Sequence, residues 1–133
     1  MRSMYTYIEQ APAIARDIIA DRGALVTPLV EQFCDVAPKR LLIVASGSSY
    51  DIAMSMKPFV QQTLGIEVSV EWPMSYILYN HAQDNETFVL CMSQSGRSTN
   101  TIEAVRRAQS CGHHVAVLTC NPDAPMHEYC EHV

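Results

Sequence analysis

Basic residues are scarce in this chain: nine Lys plus Arg stand against 14 Asp plus Glu among 133 residues, for a net charge of -5. A protein that tracks a nucleic-acid backbone needs a positively charged stripe, and none is present, so that class of partner is excluded. Long apolar runs are missing as well. None approaches the roughly 18 to 20 residues needed to cross a bilayer, so no membrane partner is expected. The opening stretch, MRSMYTYIEQAPAIARD, carries charges where the apolar segment of a signal peptide would lie, which argues against secretion. There is no Cys-x-x-Cys pair, and the five cysteines are an odd number. Cys91 and Cys120 fall in apolar, strand-like runs, where a thiol behaves as a small hydrophobe. This usage fits the reducing cytoplasm better than a disulfide framework. The chain also lacks a G-x-G-x-x-G after its first strand-like run and a G-x-x-x-x-G-K-[ST] anywhere, which disfavours dinucleotide and nucleoside-triphosphate sites. His127, Cys130 and His132 have a spacing that matches no common zinc pattern, and they read as a surface helix end. No metal and no cofactor is expected, and no Ser-His-Asp relay can be assigned.

What is present suits one packed domain. Hydrophobic residues make up 48 % and charged residues 17 %, a composition that supports a core and argues against disorder. Residues 11–22 and 25–36 read as two helices, with Ile14, Ile18 and Ile19 at helical spacing and Gly23 at the break. Leu41 to Ala45 is then a continuous apolar run followed by a helical stretch near 50–64, in which Pro58 introduces a kink. Residues 68–72, 87–92 and 115–119 repeat the strand pattern. Helices are expected at 74–79, 101–111 and 124–130. Continuous apolar runs indicate strands covered on both faces. The alternation predicts an α/β fold: a doubly wound, mainly parallel sheet of four to five strands in flavodoxin-like order, preceded by N-terminal helices.

Two hydroxyl-rich loops fall where such a sheet binds ligands, beyond the carboxyl ends of its strands. Ser46-Gly47-Ser48-Ser49 follows the first strand, and Ser93-Gln94-Ser95-Gly96-Arg97-Ser98-Thr99 follows the third. A phosphate dianion needs several short donors converging from one side. Helix-start N–H groups and serine hydroxyls supply them, while Gly47 and Gly96 permit close approach of the backbone. Arg97 is the one cation in either loop, so the cradle would be largely neutral. Each serine taken alone reads more readily as a helix cap or turn residue than as a phosphate ligand, and Asn100 with Glu103 fits a capping box. Trp72, Tyr76 and Tyr79 read as packing residues, and His113-His114 as a loop before a strand.

At these loops the chain resembles the SIS, or sugar isomerase, domain family. Within it, the similarity is to the first repeat of the isomerase half of glucosamine-6-phosphate synthase and to the related ketosamine-phosphate deglycases and isomerases. Residues 7–12 (YIEQAP), 46–50 (SGSSY), 93–98 (SQSGRS) and 116–121 (AVLTCN) carry the likeness, in the family's order and across nearly the whole chain. The resemblance implies a single sugar-phosphate-binding domain over residues 1–133, as the N-terminal part of a longer two-repeat protein. It implies a phosphate site built from Gly47, Ser48, Ser49, Ser93, Gln94, Ser95 and Ser98. Two departures bear on the substrate. Arg97 stands where an acidic residue often follows the glycine, and Ser75 lies near a place where the synthases carry a glutamate.

Isomerisation between an aldose and a ketose needs a base to shuttle a proton between neighbouring carbons. The resemblance implies that this group comes from a second repeat and a neighbouring subunit, so the catalytic residues in this chain stay unassigned. Glu71 and His81 are the nearest in type. The implied function is therefore binding of a ketose or amino-sugar phosphate within an isomerase or deglycase. The alternative is a sensing module without chemistry, as in a transcription regulator. An open sheet edge and exposed apolar surface further predict a homo-oligomer.

Overall fold

Three continuous apolar runs and one alternating segment, residues 67–71, set the architecture, because the apolar side chains of each must be covered. The computed structural model describes residues 3–130. Strands β1 (Arg40–Ala45), β2 (Glu67–Glu71), β3 (Thr87–Met92) and β4 (His114–Leu118) form one sheet in the order β2-β1-β3-β4. All three pairings are parallel. Successive side chains of a strand leave opposite faces. Leu41 and Ile43 join Val68, Val70, Phe88 and Ala116 on one face, whereas Leu42 and Val44 join Val89, Cys91, Val115 and Val117 on the other. Each Val, Leu, Ile or Phe among them contributes roughly 1.5–3 kcal/mol when fully buried.

Helix α2 (Arg22–Val36) covers the first face through Leu29, Phe33 and Val36, beside α3 (Ser48–Leu64) through Ala53 and Val60. The second face is covered by α4 (Pro73–Leu78) with Tyr76 and Ile77, and by α5 (Thr99–Ser110) with Ala104, Val105 and Ala108. Met126, on a 3-10 helix spanning Pro125–Tyr129, packs there too. The expected doubly wound α/β sheet is thus observed, with four strands among the described residues.

Several local expectations are corrected. The first helix, α1, runs over Met4–Ala20 and not from residue 11. Ser3 caps it by accepting from the Thr6 N–H, and Pro12 is carried inside. The break to α2 falls at Asp21, and Gly23 lies within α2. The 124–130 segment is 3-10 helix, not α-helix. Tyr76 is fully buried and Trp72 stacks on Tyr50 with ring centroids 4.6 Å apart, but Tyr79 is exposed. Cys91 is buried in β3, whereas Cys120 lies beyond β4 and is exposed. His132 lies outside the described residues. No group of acidic, His and Cys side chains able to hold a metal occurs among the described residues, and no helix of the described residues is long and apolar enough to cross a membrane.

Polar groups at the amino end of the sheet are consumed within the protein. Arg40 Nη2 donates to Asp84 Oδ2 at 2.8 Å, and the N–H groups of Glu86 and Thr87 donate to Asp84 Oδ1. His113, also buried, lies 2.9 Å from the Tyr76 hydroxyl through Nδ1 and 2.6 Å from the Ala82 carbonyl through Nε2. Burial drives the Tyr76 hydroxyl well above its ordinary pKa, so it stays protonated and donates to Nδ1. The His113 tautomer follows: Nε2 carries the hydrogen given to Ala82. On the outer edge of β4, Gln32 Nε2 and Cys130 Sγ both donate to the Val115 carbonyl at 3.3 Å.

Candidate functional site

The parallel register aligns Ala45 with Met92 and Met92 with Leu118, so β1, β3 and β4 end side by side. A cavity of about 390 Å³ opens there. Ser48 and Ser49 line it from the start of α3, Ser93 and Gln94 from the end of β3, and Thr119 and Cys120 from beyond β4. Ile52, Met92 and Leu118 complete its apolar part. The two serine loops flagged in the sequence therefore meet in one place.

Their donors are uncommitted. Gly47, at φ +58°, turns the chain into α3 and caps it without a side chain. The first bonded amides of α3, those of Tyr50 and Asp51, both reach back to the Gly47 carbonyl. Among the described residues, the N–H groups and hydroxyls of Ser48 and Ser49 have no hydrogen-bond partner, nor do the Ser93 hydroxyl and the N–H groups of Gln94 and Ser95. Orphan amides at a helix start, aligned with its dipole, attract an anion. No Lys or Arg among the described residues lines the cavity. Its pull on an anion comes from neutral donors, in keeping with a chain of net charge -5.

The remaining predicted residues serve the loop in other ways. Ser95 Oγ accepts from the Arg97 N–H at 3.3 Å. Ser98, not Asn100, caps α5: its Oγ accepts from the Thr101 N–H at 3.4 Å and from the Thr101 hydroxyl at 2.9 Å. Neither Ser95 nor Ser98 lines the cavity, and Arg97 is exposed outside it. Ser98 keeps its own hydroxyl hydrogen to donate, because the bonds it makes use only its lone pairs.

The 93–98 loop is strapped from beyond β4, an arrangement with no local signature in the sequence. Cys120 N–H and Thr119 Oγ1 both donate to the Gln94 carbonyl, and Asn121 Nδ2 donates to the Ser95 carbonyl. Met126 N–H donates to the Gly96 carbonyl at 3.3 Å. Gly96 has φ +62°, and a Cβ on it would stand 2.2 Å from Ala124 Cβ and 2.9 Å from Thr119 Oγ1. Only glycine fits. The lining roles of Thr119, Cys120 and Leu118 were legible from their place after a third strand end, but no residue type marked them.

Glu71 and His81 stay apart from this cavity. Glu71 accepts from Asn80 Nδ2 at 2.9 Å, and His81 Nδ1 lies 3.1 Å from the Tyr76 carbonyl. Among the described residues, no carboxylate or imidazole lines the cavity. A wider recess of about 620 Å³ beside β4 includes Gln109, His113 and His127. Part of its polar set is spent, since Gln109 Nε2 donates to the Tyr129 carbonyl and His127 Nε2 lies 3.0 Å from the Asn121 carbonyl, whereas Gln32 Oε1 is buried without a partner among the described residues. The smaller cavity, with donors to spare, is the candidate site.

Comparison with known proteins places the chain. The SIS domain family model matches residues 36–133. Over 124 residues, 89 % of this chain, it is 30 % identical to the glutamine–fructose-6-phosphate aminotransferase (isomerizing) of Bordetella parapertussis. The same-named protein of Acidithiobacillus ferridurans is 33 % identical over 82 residues, 62 % of this chain. The chain spans 20 % and 13 % of the lengths of these two curated relatives. Among solved structures, a provisionally assigned phosphosugar isomerase from Clostridium difficile 630 superposes over 100 % of this chain and 37 % of its own, with TM-score 0.88 and 25 % identity. Tagatose-6-phosphate ketose/aldose isomerase from Escherichia coli shares the fold at TM-score 0.67 and 18 % identity, over 85 % of this chain and 32 % of its own.

Proposed function

The chain belongs to the SIS domain family, and from that premise we propose that the cavity between its two serine loops holds the phosphate of a ketose or amino-sugar phosphate. The observation that carries this reading is the convergence of Ser48, Ser49, Ser93 and Gln94 on one cavity while the three serine hydroxyls and the N–H groups of Ser48, Ser49 and Gln94 have no partner among the described residues. Ser95 and Ser98 complete the set by ordering the second loop, and Gly47 by setting the first. The apolar wall of Ile52, Met92 and Leu118 suits the carbon skeleton beyond the phosphate. The chain acts in the cytoplasm as the phosphosugar-binding part of an isomerase or deglycase, consistent with its free-thiol cysteine usage.

Proton transfer on the sugar needs a base within hydrogen-bond reach, and the described residues of the cavity wall offer none. In this reading the base comes from outside the chain. The same observation favours a second reading, a sensing module that binds the phosphosugar without turning it over. Catalysis by a longer chain carrying this segment separates the two.

Thermal unfolding with fructose 6-phosphate, glucosamine 6-phosphate, inorganic phosphate and the free sugars tests the site. A ligand at about a hundred times its dissociation constant stabilises by roughly 2.7 kcal/mol. Stabilisation by the phosphorylated sugars and not by the free sugars is expected. No shift with any phosphorylated compound overturns the reading.

A further inference from the structure

The Gln94 carbonyl takes two donors from the β4 side. Cys120 N–H reaches it at 3.1 Å and Thr119 Oγ1 at 3.3 Å. The first bond prolongs the β3–β4 ladder, in which Ser93 N–H already donates to the Leu118 carbonyl at 3.0 Å. The second is a side-chain bond that the ladder does not require. Thr119 Oγ1 is fixed from its own segment as well, because it accepts from the Asn121 N–H at 3.3 Å. It stands so near Gly96 that a Cβ there would lie 2.9 Å from it. The hydroxyl is thus wedged between the turn after β4 and the second serine loop, with its one hydrogen committed to Gln94.

That bond gives one amide a direction. In a trans peptide the carbonyl oxygen and the following N–H point opposite ways, and no cis bond occurs among the described residues. The sheet order puts β3 between β4 and β1. Drawing the Gln94 carbonyl toward β4 therefore turns the Ser95 N–H toward the β1 side, where Ser48 and Ser49 open α3. This amide has no partner among the described residues. A hydrogen bond accepted by a carbonyl also polarises its peptide and strengthens the N–H as a donor. Here two such bonds converge on the peptide that leads into Ser95.

We propose that Thr119 is a positioning residue of the anion site, holding the Gln94–Ser95 peptide with its amide turned toward the phosphate. The inference rests on the reading that the cavity takes a phosphate. Thr119 lies in the cavity wall, yet its hydroxyl hydrogen faces Gln94 and is not available to an anion. Its effect passes through the loop.

Calorimetric titration of the full chain with fructose 6-phosphate and with inorganic phosphate tests this in wild type, Thr119→Val and Thr119→Ser. Valine keeps the shape and removes the hydroxyl, whereas serine restores the hydroxyl on a smaller side chain. Affinity per folded molecule is expected to fall about three- to tenfold in Thr119→Val for both ligands, the equivalent of one neutral hydrogen bond. It should return to within about twofold of wild type in Thr119→Ser, which has the same donor. In amide proton spectra of the free protein, the Ser95 resonance should move upfield in Thr119→Val and recover in Thr119→Ser. Looser packing would not produce that recovery, since serine fills less space than valine. A Thr119→Val protein that binds as tightly as wild type, or a Thr119→Ser protein as weak as Thr119→Val, overturns the role of Thr119 and leaves the phosphate site standing. A wild type that binds neither ligand overturns the site and this inference with it.

Discussion

The two ends of the sheet handle polar groups in opposite ways. At the amino end, Arg40, Asp84, Tyr76 and His113 are bonded to one another or to backbone, and a buried histidine has a partner on each ring nitrogen. At the carboxyl end, the hydroxyls of Ser48, Ser49 and Ser93 and the amides of Ser48, Ser49 and Gln94 border a cavity and have no partner among the described residues. A satisfied network stabilises and specifies a fold, whereas unspent donors contribute little to stability and are available to a ligand. One sheet thus separates holding itself together from holding something else.

The sharpest way to break this contrast is Gly96→Ala, which touches both functions. A Cβ within 2.2 Å of Ala124 at a positive φ should destabilise by roughly 2–4 kcal/mol and displace the second loop. Urea unfolding should show the loss, and phosphosugar binding should fall with it. Binding that survives intact would mean that the loop is not part of the cradle.

Tyr76→Phe probes the amino end alone. It leaves His113 Nδ1 buried without its donor, at a cost of about 1–3 kcal/mol. The urea midpoint should drop while ligand affinity per folded molecule stays unchanged, as read by calorimetry. An affinity loss equal to that of a loop variant would erase the distinction between the ends.

Ser93→Ala is the converse. Removing a hydroxyl that bonds nothing in the fold should leave the melting temperature close to wild type. It should weaken phosphosugar binding about tenfold, the equivalent of one hydrogen bond to a charged group. If stability falls and affinity does not, Ser93 is a packing residue and the contrast fails.

The smallest effect is pH-dependent. Burial works to raise the Asp84 carboxyl, but hydrogen bonds from Thr87 and Glu86 and the nearby Arg40 charge outweigh it and hold the pKa below its ordinary value. A depressed carboxyl adds stability above its unfolded pKa, about 3.9, and loses it as pH falls through the folded value. Because Arg40 is half exposed, the pair contributes under about 1 kcal/mol. Asp84→Asn should therefore be slightly less stable than wild type at neutral pH, with the gap closing in acid. A gap that widens in acid would reverse the assigned sign.

How much of this was legible in the sequence follows from the range of each interaction. Three strands announced themselves because burial on both faces removes polar alternation, as in Leu41 to Ala45, whereas the edge strand β2 keeps it in residues 67–71. The cradle loops were visible because each is a contiguous run of small polar residues after such a strand. Ser98 was misplaced as a cap by two residues, since Asn100 with Glu103 satisfies the same local pattern. The start of α1 was missed because Pro12 mimics a helix beginning. The strap from Thr119, Asn121 and Met126 onto the second loop, and the Tyr76–His113 pair, join segments 25 to 37 residues apart. Nothing in either local stretch encodes such a meeting, because the pairing exists only after the sheet has brought the strand ends into line.

The Gln32 side chain has a consequence of its own. An unprotected flank of β4 would offer a template on which another chain's backbone could stack, the first step toward a fibril. By lending its amide to the Val115 carbonyl, with Cys130 beside it, Gln32 plugs that template at mid-strand. An invading backbone would have to evict a side chain anchored on α2 before its first rung could form. A half-buried glutamine thus stands where a further strand would have to bond.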